Sequence, residues 1–201
     1  MTGLTTKLGI KYMRISLLIL IFLFTFQSLT KADISEFEIE GIGIGDSLLN
    51  FLSENEIKKK SSDTYYYKDN KYVYYFFPSL DFLTTYESLQ VTVKPKDKKY
   101  IIEGVDGVIR YKNIKECNKK LSEIKTELED VFGIDGIFDE GDHPGYKNST
   151  YIRYVFNLPD GRVDCVCFDM SKKLENQGKL DSLYISMVSK DFSQFITYEN
   201  Y

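Results

Sequence analysis

The chain has 201 residues, a formal net charge of −4, no Trp, one His, 16 Tyr and 14 Phe. An acidic balance does not suit a protein that tracks phosphates, because nucleic-acid binders carry basic stripes. It disfavours docking on anionic lipid for the same reason.

Lys7, Lys11 and Arg14 precede the apolar run Ile15–Phe26, and no acidic residue appears before Asp33. A basic head, a short apolar stretch and a small-x-small site describe a secretory signal peptide. Thr30-Lys31-Ala32 fits that site, so cleavage is expected between Ala32 and Asp33. The run falls short of the ~20 residues that a spanning helix needs, so no stable membrane span is expected after processing. Met13, just before Arg14, would make a more compact start, and no cysteine near the cleavage site could carry a lipid. Residues 1–32 hold four cations and no acid, which leaves 169 residues with a charge of about −8. The expected location is secreted or periplasmic.

In chain order, Ile34–Glu40 reads as a short strand. Gly41–Ser47 has neither nucleotide-loop spacing nor a following Lys-Ser/Thr, so it reads as a tight turn into a helix capped by Asp46 or Ser47. Leu48, Leu49 and Leu52 are expected inward. Ser53 and Glu56 form a capping-box pattern for a second helical turn that ends at Lys58-Lys59-Lys60. Thr64–Tyr67 and Tyr72–Phe77 read as an aromatic hairpin, and Glu87–Val93 alternates Leu89, Val91 and Val93 against Ser88, Gln90 and Thr92. Tyr100–Tyr111, interrupted by Gly104 and Gly107, reads as one bulged strand or two short ones.

Asn113–Phe132 is the clearest helix, capped by Asn113 and stopped by Gly133. Its inner stripe is Ile114, Cys117, Leu121, Ile124, Leu128 and Val131 or Phe132. Gly133–Ser149 reads as a long polar loop, Tyr151–Leu158 and Arg162–Met170 as a hairpin, and Ser171–Lys179 as a second loop. Leu180–Met187 is the next strand and Asp191–Phe195 a closing turn or short helix.

Tyr86–Ile102 matches Leu180–Ile196 without a gap, Ser88, Leu89, Lys96, Asp97 and Ile102 recurring as Ser182, Leu183, Lys190, Asp191 and Ile196. The expected fold is therefore α+β: two tandem α-β-β-β units, residues 33–111 and 112–201, with helices packed on antiparallel sheet.

Little in the sequence points to catalysis, and no cofactor or nucleic-acid partner is implied. His143 sits in an acidic loop without a nucleophile motif. Asp135, Asp139, Glu140 and Asp142 lack the spacing of a calcium loop, and no Cys-x-x-Cys supports zinc. In an exported protein the thiols favour a disulfide. Cys165 and Cys167 share one strand face and are poorly placed to bond each other, so Cys117 on the helix is expected to pair with one of them.

Ile44-Gly45-Asp46-Ser47-Leu48 and Cys167-Phe168-Asp169 carry a resemblance to the envelope domains of the SmpA/BamE class and to their tandem relatives, the β-lactamase-inhibitor proteins. In these a helical pair packs on an antiparallel sheet; the long Asn113–Phe132 helix and the missing lipidation cysteine depart from that pattern. Over the whole mature chain, the sequence is similar to a group of small exported bacterial proteins of unassigned function. Shared features are the opening Phe37–Leu48, a cysteine in the middle helix and a Cys-aromatic-Asp strand. The resemblance implies a Cys117–Cys167 pairing and assigns no activity.

The function expected is a non-catalytic binding or interaction module of the cell envelope, its partner a protein or other envelope component. Tyr66, Tyr72, Tyr74 and Tyr184 are the candidate contact surface, since tyrosine supplies large rigid contact area. The alternatives are an envelope hydrolase with a carboxylate site and a structural or stress-related exported protein.

Overall fold

The computed structural model describes residues 33–199. The expected leader, through Ala32, lies outside the described residues. A single turn, Ile34–Glu36, leads into the ribbon of β1 (Glu38–Ile39) and β2 (Ile42–Gly43). Glu40 and Gly41 turn this ribbon with φ of 54° and 79°, the left-handed geometry of a two-residue hairpin. Glu40 also holds the distant 84–86 loop, because its carboxylate accepts the N–H groups of Thr84, Thr85 and Tyr86 at 3.0, 2.6 and 3.0 Å.

Ser47 caps the short turn Leu48–Asn50, and α1 (Glu54–Lys60) follows with the Ser53–Glu56 capping box in place. Leu48 and Leu52 are buried, but Leu49 is exposed. The turn is a single 3-10 turn, so residues one apart cannot share its inner face.

β3 (Asp63–Tyr66), β4 (Val73–Phe77), β5 (Ser88–Val93) and β6 (Ile102–Tyr111) form an antiparallel meander. After α2 (Ile114–Phe132), β7 (Ile137–Asp142), β8 (Thr150–Leu158) and β9 (Gly161–Asp169) make a second one. The single turn α3 (Lys172–Glu175) precedes its last strand, β10 (Asp181–Ser189), and α4 (Lys190–Gln194) follows. Pairing of β10 with β6 joins the two meanders into one eight-stranded sheet, ordered β3-β4-β5-β6-β10-β9-β8-β7. The segments matched in sequence lie on β5 and β10, the two strands that flank β6. No helix among the described residues is long and apolar enough to cross a membrane.

β7 lies inside what the sequence reads as the Gly133–Ser149 loop. Its residues are mostly polar and mostly exposed, so it lacks the one-sided apolar alternation that marks a half-buried strand. β6 is continuous, with a bulge opposite Thr92/Val93. Its glycines admit rings: an added Cβ at Gly107 would collide with Tyr86, and one at Gly104 would lie 3.1 Å from Phe192.

The main core lies on one face of the sheet. Leu89, Val91, Val93, Val105, Cys165, Leu183 and Ile185 face α2 and the N-terminal turns. Asn113 accepts the N–H of Lys115 at 2.9 Å to start α2, and Gly133 ends it at φ 65°. Cys117, Leu121 and Phe132 are buried, whereas Val131 is 56 % exposed, so Phe132 completes the stripe. Each fully buried apolar side chain contributes about 1.5–3 kcal/mol.

Cys117 on α2 is bonded to Cys167 on β9, with Cα atoms 6.0 Å apart. The bond spans 50 residues of sequence, and chain entropy puts its stabilisation near ~4 kcal/mol. Denaturant unfolding with and without reductant should show a loss of about that size, and peptide mapping should join the Cys117 and Cys167 peptides. An unchanged midpoint would contradict the role given to the bond. Gly107→Ala should lose roughly 1–3 kcal/mol, because the ring of Tyr86 must be displaced.

Candidate functional site

Strand alternation that sends the apolar set toward α2 sends a polar set to the opposite face. Register places Gln90, Asp106, Ser186, Asp164, Val155 and Ile137 in one row across β5, β6, β10, β9, β8 and β7. A neighbouring row holds Val108, Tyr184, Val166, Arg153 and Asp139. Two acids, Asp106 and Asp164, therefore lie near the centre of the sheet with Ser186 between them.

Both carboxyls are crowded. Burial pushes the Asp106 pKa from 3.8 up to about 6; a hydrogen bond from Ser186 pulls it back and the charge of Asp164 adds to the rise. Burial likewise raises Asp164, against the pull of Arg162 and Arg153. Arg162 Nη2 lies 2.9 Å from Asp164 Oδ2. Arg153 pairs with Asp139, which also accepts the Tyr151 hydroxyl at 3.0 Å. The pairing with Arg153, then the Tyr151 hydrogen bond, holds Asp139 below the usual carboxylate range.

Aromatic groups close the two ends of this polar floor. At one end Phe192 and Phe195 of the C-terminal helical turns pack on Tyr72 and Val188, with Tyr67 against them. At the other, His143 lies tilted between Tyr146 and Phe168 at 4.8 and 4.5 Å, and Phe168 meets Tyr184 edge-on at 5.3 Å. His143 Nδ1 accepts the N–H groups of Gly145 and Tyr146 at 2.9 and 3.2 Å, and burial lowers its pKa. It braces the 143–149 loop.

The four candidate tyrosines do not form one patch. Tyr74 and Tyr184 share the open face and are partly buried. Tyr66 faces the other way on edge strand β3 and is exposed, while Tyr72 is buried beneath Phe192 and Phe195. The reason lies in register for Tyr66, and in a C-terminal turn that covers Tyr72.

The thiols offer no nucleophile. Cys117 and Cys167 are bonded, and burial pushes Cys165 up to about 12 on the face away from Phe168 and His143. The acids of β7 alternate, Asp139 to the open face and Glu140 to the other, so they do not converge on one ion. Asp169, Glu175 and Asp181 bring oxygens within 4.8 Å of one another, but Asp181 accepts the Met170 N–H and Glu175 holds Lys172.

Two open clefts meet at Arg153. One, about 280 Å³, is lined by Tyr151, Val166 and Phe168; the other, about 660 Å³, runs between β7–β9 and the C-terminal turns. A cleft of about 520 Å³ on the opposite side, beside Tyr66 and Tyr75, holds no buried charge.

Neither Asp106 nor Asp164 is among the residues that the sequence points to. Each is an acid flanked on both sides by apolar or glycine residues, Val105 and Gly107 or Val163 and Cys165, which is the available signal. No family model, curated protein or solved structure matches the chain.

Because folding raises the Asp106 pKa, the native state holds that proton more tightly than the unfolded chain does. Its stabilising contribution is complete below 3.8 and is lost as pH rises through about 6. Asp106→Asn should therefore be more stable than the parent by roughly 2 kcal/mol near pH 7.5, and lose that advantage near pH 4. Denaturant midpoints at the two pH values check this; a difference independent of pH would contradict it.

Proposed function

We propose that the chain is a non-catalytic binding module of the bacterial envelope, exported after cleavage between Ala32 and Asp33. On this reading two tandem units, residues 33–111 and 112–201, share one sheet, and its open face receives an envelope protein or other envelope component. The observation that carries the reading is the contrast between the two faces. One is apolar and covered by α2, while the other leaves Tyr74, Tyr184 and Arg153 partly exposed around its buried acids. Interfaces rely on such aromatic and arginine anchors. The Cys117–Cys167 bond suits an oxidising compartment.

A second reading, a carboxylate-based hydrolase, is favoured by one observation. Asp106 is raised to about 6, the range in which a carboxyl can serve as a general acid near neutral pH. It ranks second because Asp164 is already engaged by Arg162 and the clefts at this face are open.

Mass spectrometry of the envelope-isolated protein should find an N-terminus at Asp33; an intact Met1 or Met13 would contradict export. Affinity capture from envelope extract should retain a partner that Tyr184→Ala binds about thirtyfold more weakly, as for a central aromatic anchor. Equal capture by Tyr184→Ala would remove the open face from the account. Turnover of envelope glycans or peptides that Asp106→Asn abolishes would instead favour the hydrolase.

A further inference from the structure

β7 ends the sheet on the side away from β3, and among the described residues its outer edge pairs with no other strand. An edge strand presents unpaired backbone N–H and C=O groups, which monomeric proteins blunt with charged side chains, lysine above all, and with proline, bulges or a short strand; β7 carries acids rather than lysine. Ile137–Asp142 has no lysine and no proline, runs six residues, and pairs with β8 without a register shift. The opposite edge, β3, is four residues long and lies between Lys58-Lys59-Lys60 and Lys68.

Side chains beside β7 add to the contrast. Ile137 is 57 % exposed and lines the cleft of about 660 Å³ together with Tyr198, which is 80 % exposed, while Phe138, 52 % exposed, lies on the other face of the strand against Tyr154. Single exposed apolar residues are ordinary, but Ile137 and Tyr198 at one cleft, with Phe138 exposed across the same open strand edge, mark an interaction site. Residues 133–146 contain Asp135, Asp139, Glu140 and Asp142 and no Lys or Arg.

We propose that β7 is a strand-addition site for an extended segment of a partner protein that alternates basic and apolar residues. The proposal rests on the binding-module reading and names the edge that does the binding. Backbone bonds to β7 supply affinity, and successive side chains of the added strand fall on opposite faces. Its apolar residues meet Ile137 and Tyr198, and its cations meet Glu140 and Asp142. The same acids disfavour a second copy of β7 as the occupant, since like charges on adjacent strands repel.

The test titrates isotope-labelled protein, disulfide intact, with three peptides of about ten residues: alternating Lys and Val, the Glu counterpart, and the Lys/Val peptide N-methylated at alternate residues. The Lys/Val peptide should shift the amide signals of Ile137–Asp142. The Glu and N-methylated peptides should bind at least about tenfold more weakly, and exposed Glu140→Lys should weaken the Lys/Val peptide by about tenfold. Absence of binding, equal binding by the Glu peptide, or self-association through β7 in ultracentrifugation would overturn the proposal. Shifts confined to the surroundings of Tyr74 and Tyr184 would overturn the edge site yet leave the binding-module reading standing.

Discussion

The seating of α2 on the sheet is the contact on which the rest of the structure depends. A single long helix must cover the apolar face across β9, β10 and β6, the strands at which the two meanders join. Cys117 and Leu121 bury themselves there, Phe132 closes the far end against Phe37 and Phe156, and the Cys117–Cys167 bond fixes the helix to β9. With that face sealed, period-2 alternation sends the remaining polar and aromatic residues to the other face, which has no comparable long cover among the described residues. The C-terminal turns cover only part of it, through Phe192 and Phe195.

That division explains the electrostatics. Charges that cannot enter the helix-side core are crowded onto the open floor, where Asp106 and Asp164 keep their protons longer than ordinary carboxyls; Ser186 offsets the first, and Arg162 and Arg153 the second. Removing Arg162 would leave Asp164 without its nearest counter-charge in a desolvated setting. These polar groups give the face directionality that an apolar sheet surface would lack.

Features with a strong local cause were legible in the sequence. The Asn113 cap, the Gly133 stop and a 3.6-residue stripe define α2, and Ser53 with Glu56 defines α1. Alternation defines β5, and the shared face of Cys165 and Cys167 narrows the disulfide to two partners before any fold is known. Features decided by tertiary context were not. β7 exists because β8 offers it an edge, so its polar sequence carries no periodic signature. Tyr72 looks like a surface tyrosine until the C-terminal turn folds over it, and Leu49 looks like a core leucine until the turn holding it proves too short. The row of Asp106, Ser186 and Asp164 joins residues from three strands far apart in sequence, so only cross-strand register reveals it.

The central claim is that the sheet works through the surface that α2 does not cover. Hydroxyl-radical footprinting of the protein within envelope preparations, against the purified protein, tests it most directly. The account predicts protection at Tyr74, Tyr184 and Tyr198 with no change on the outer surface of α2 around Lys119 and Glu127. Protection confined to that outer surface of α2 would contradict it.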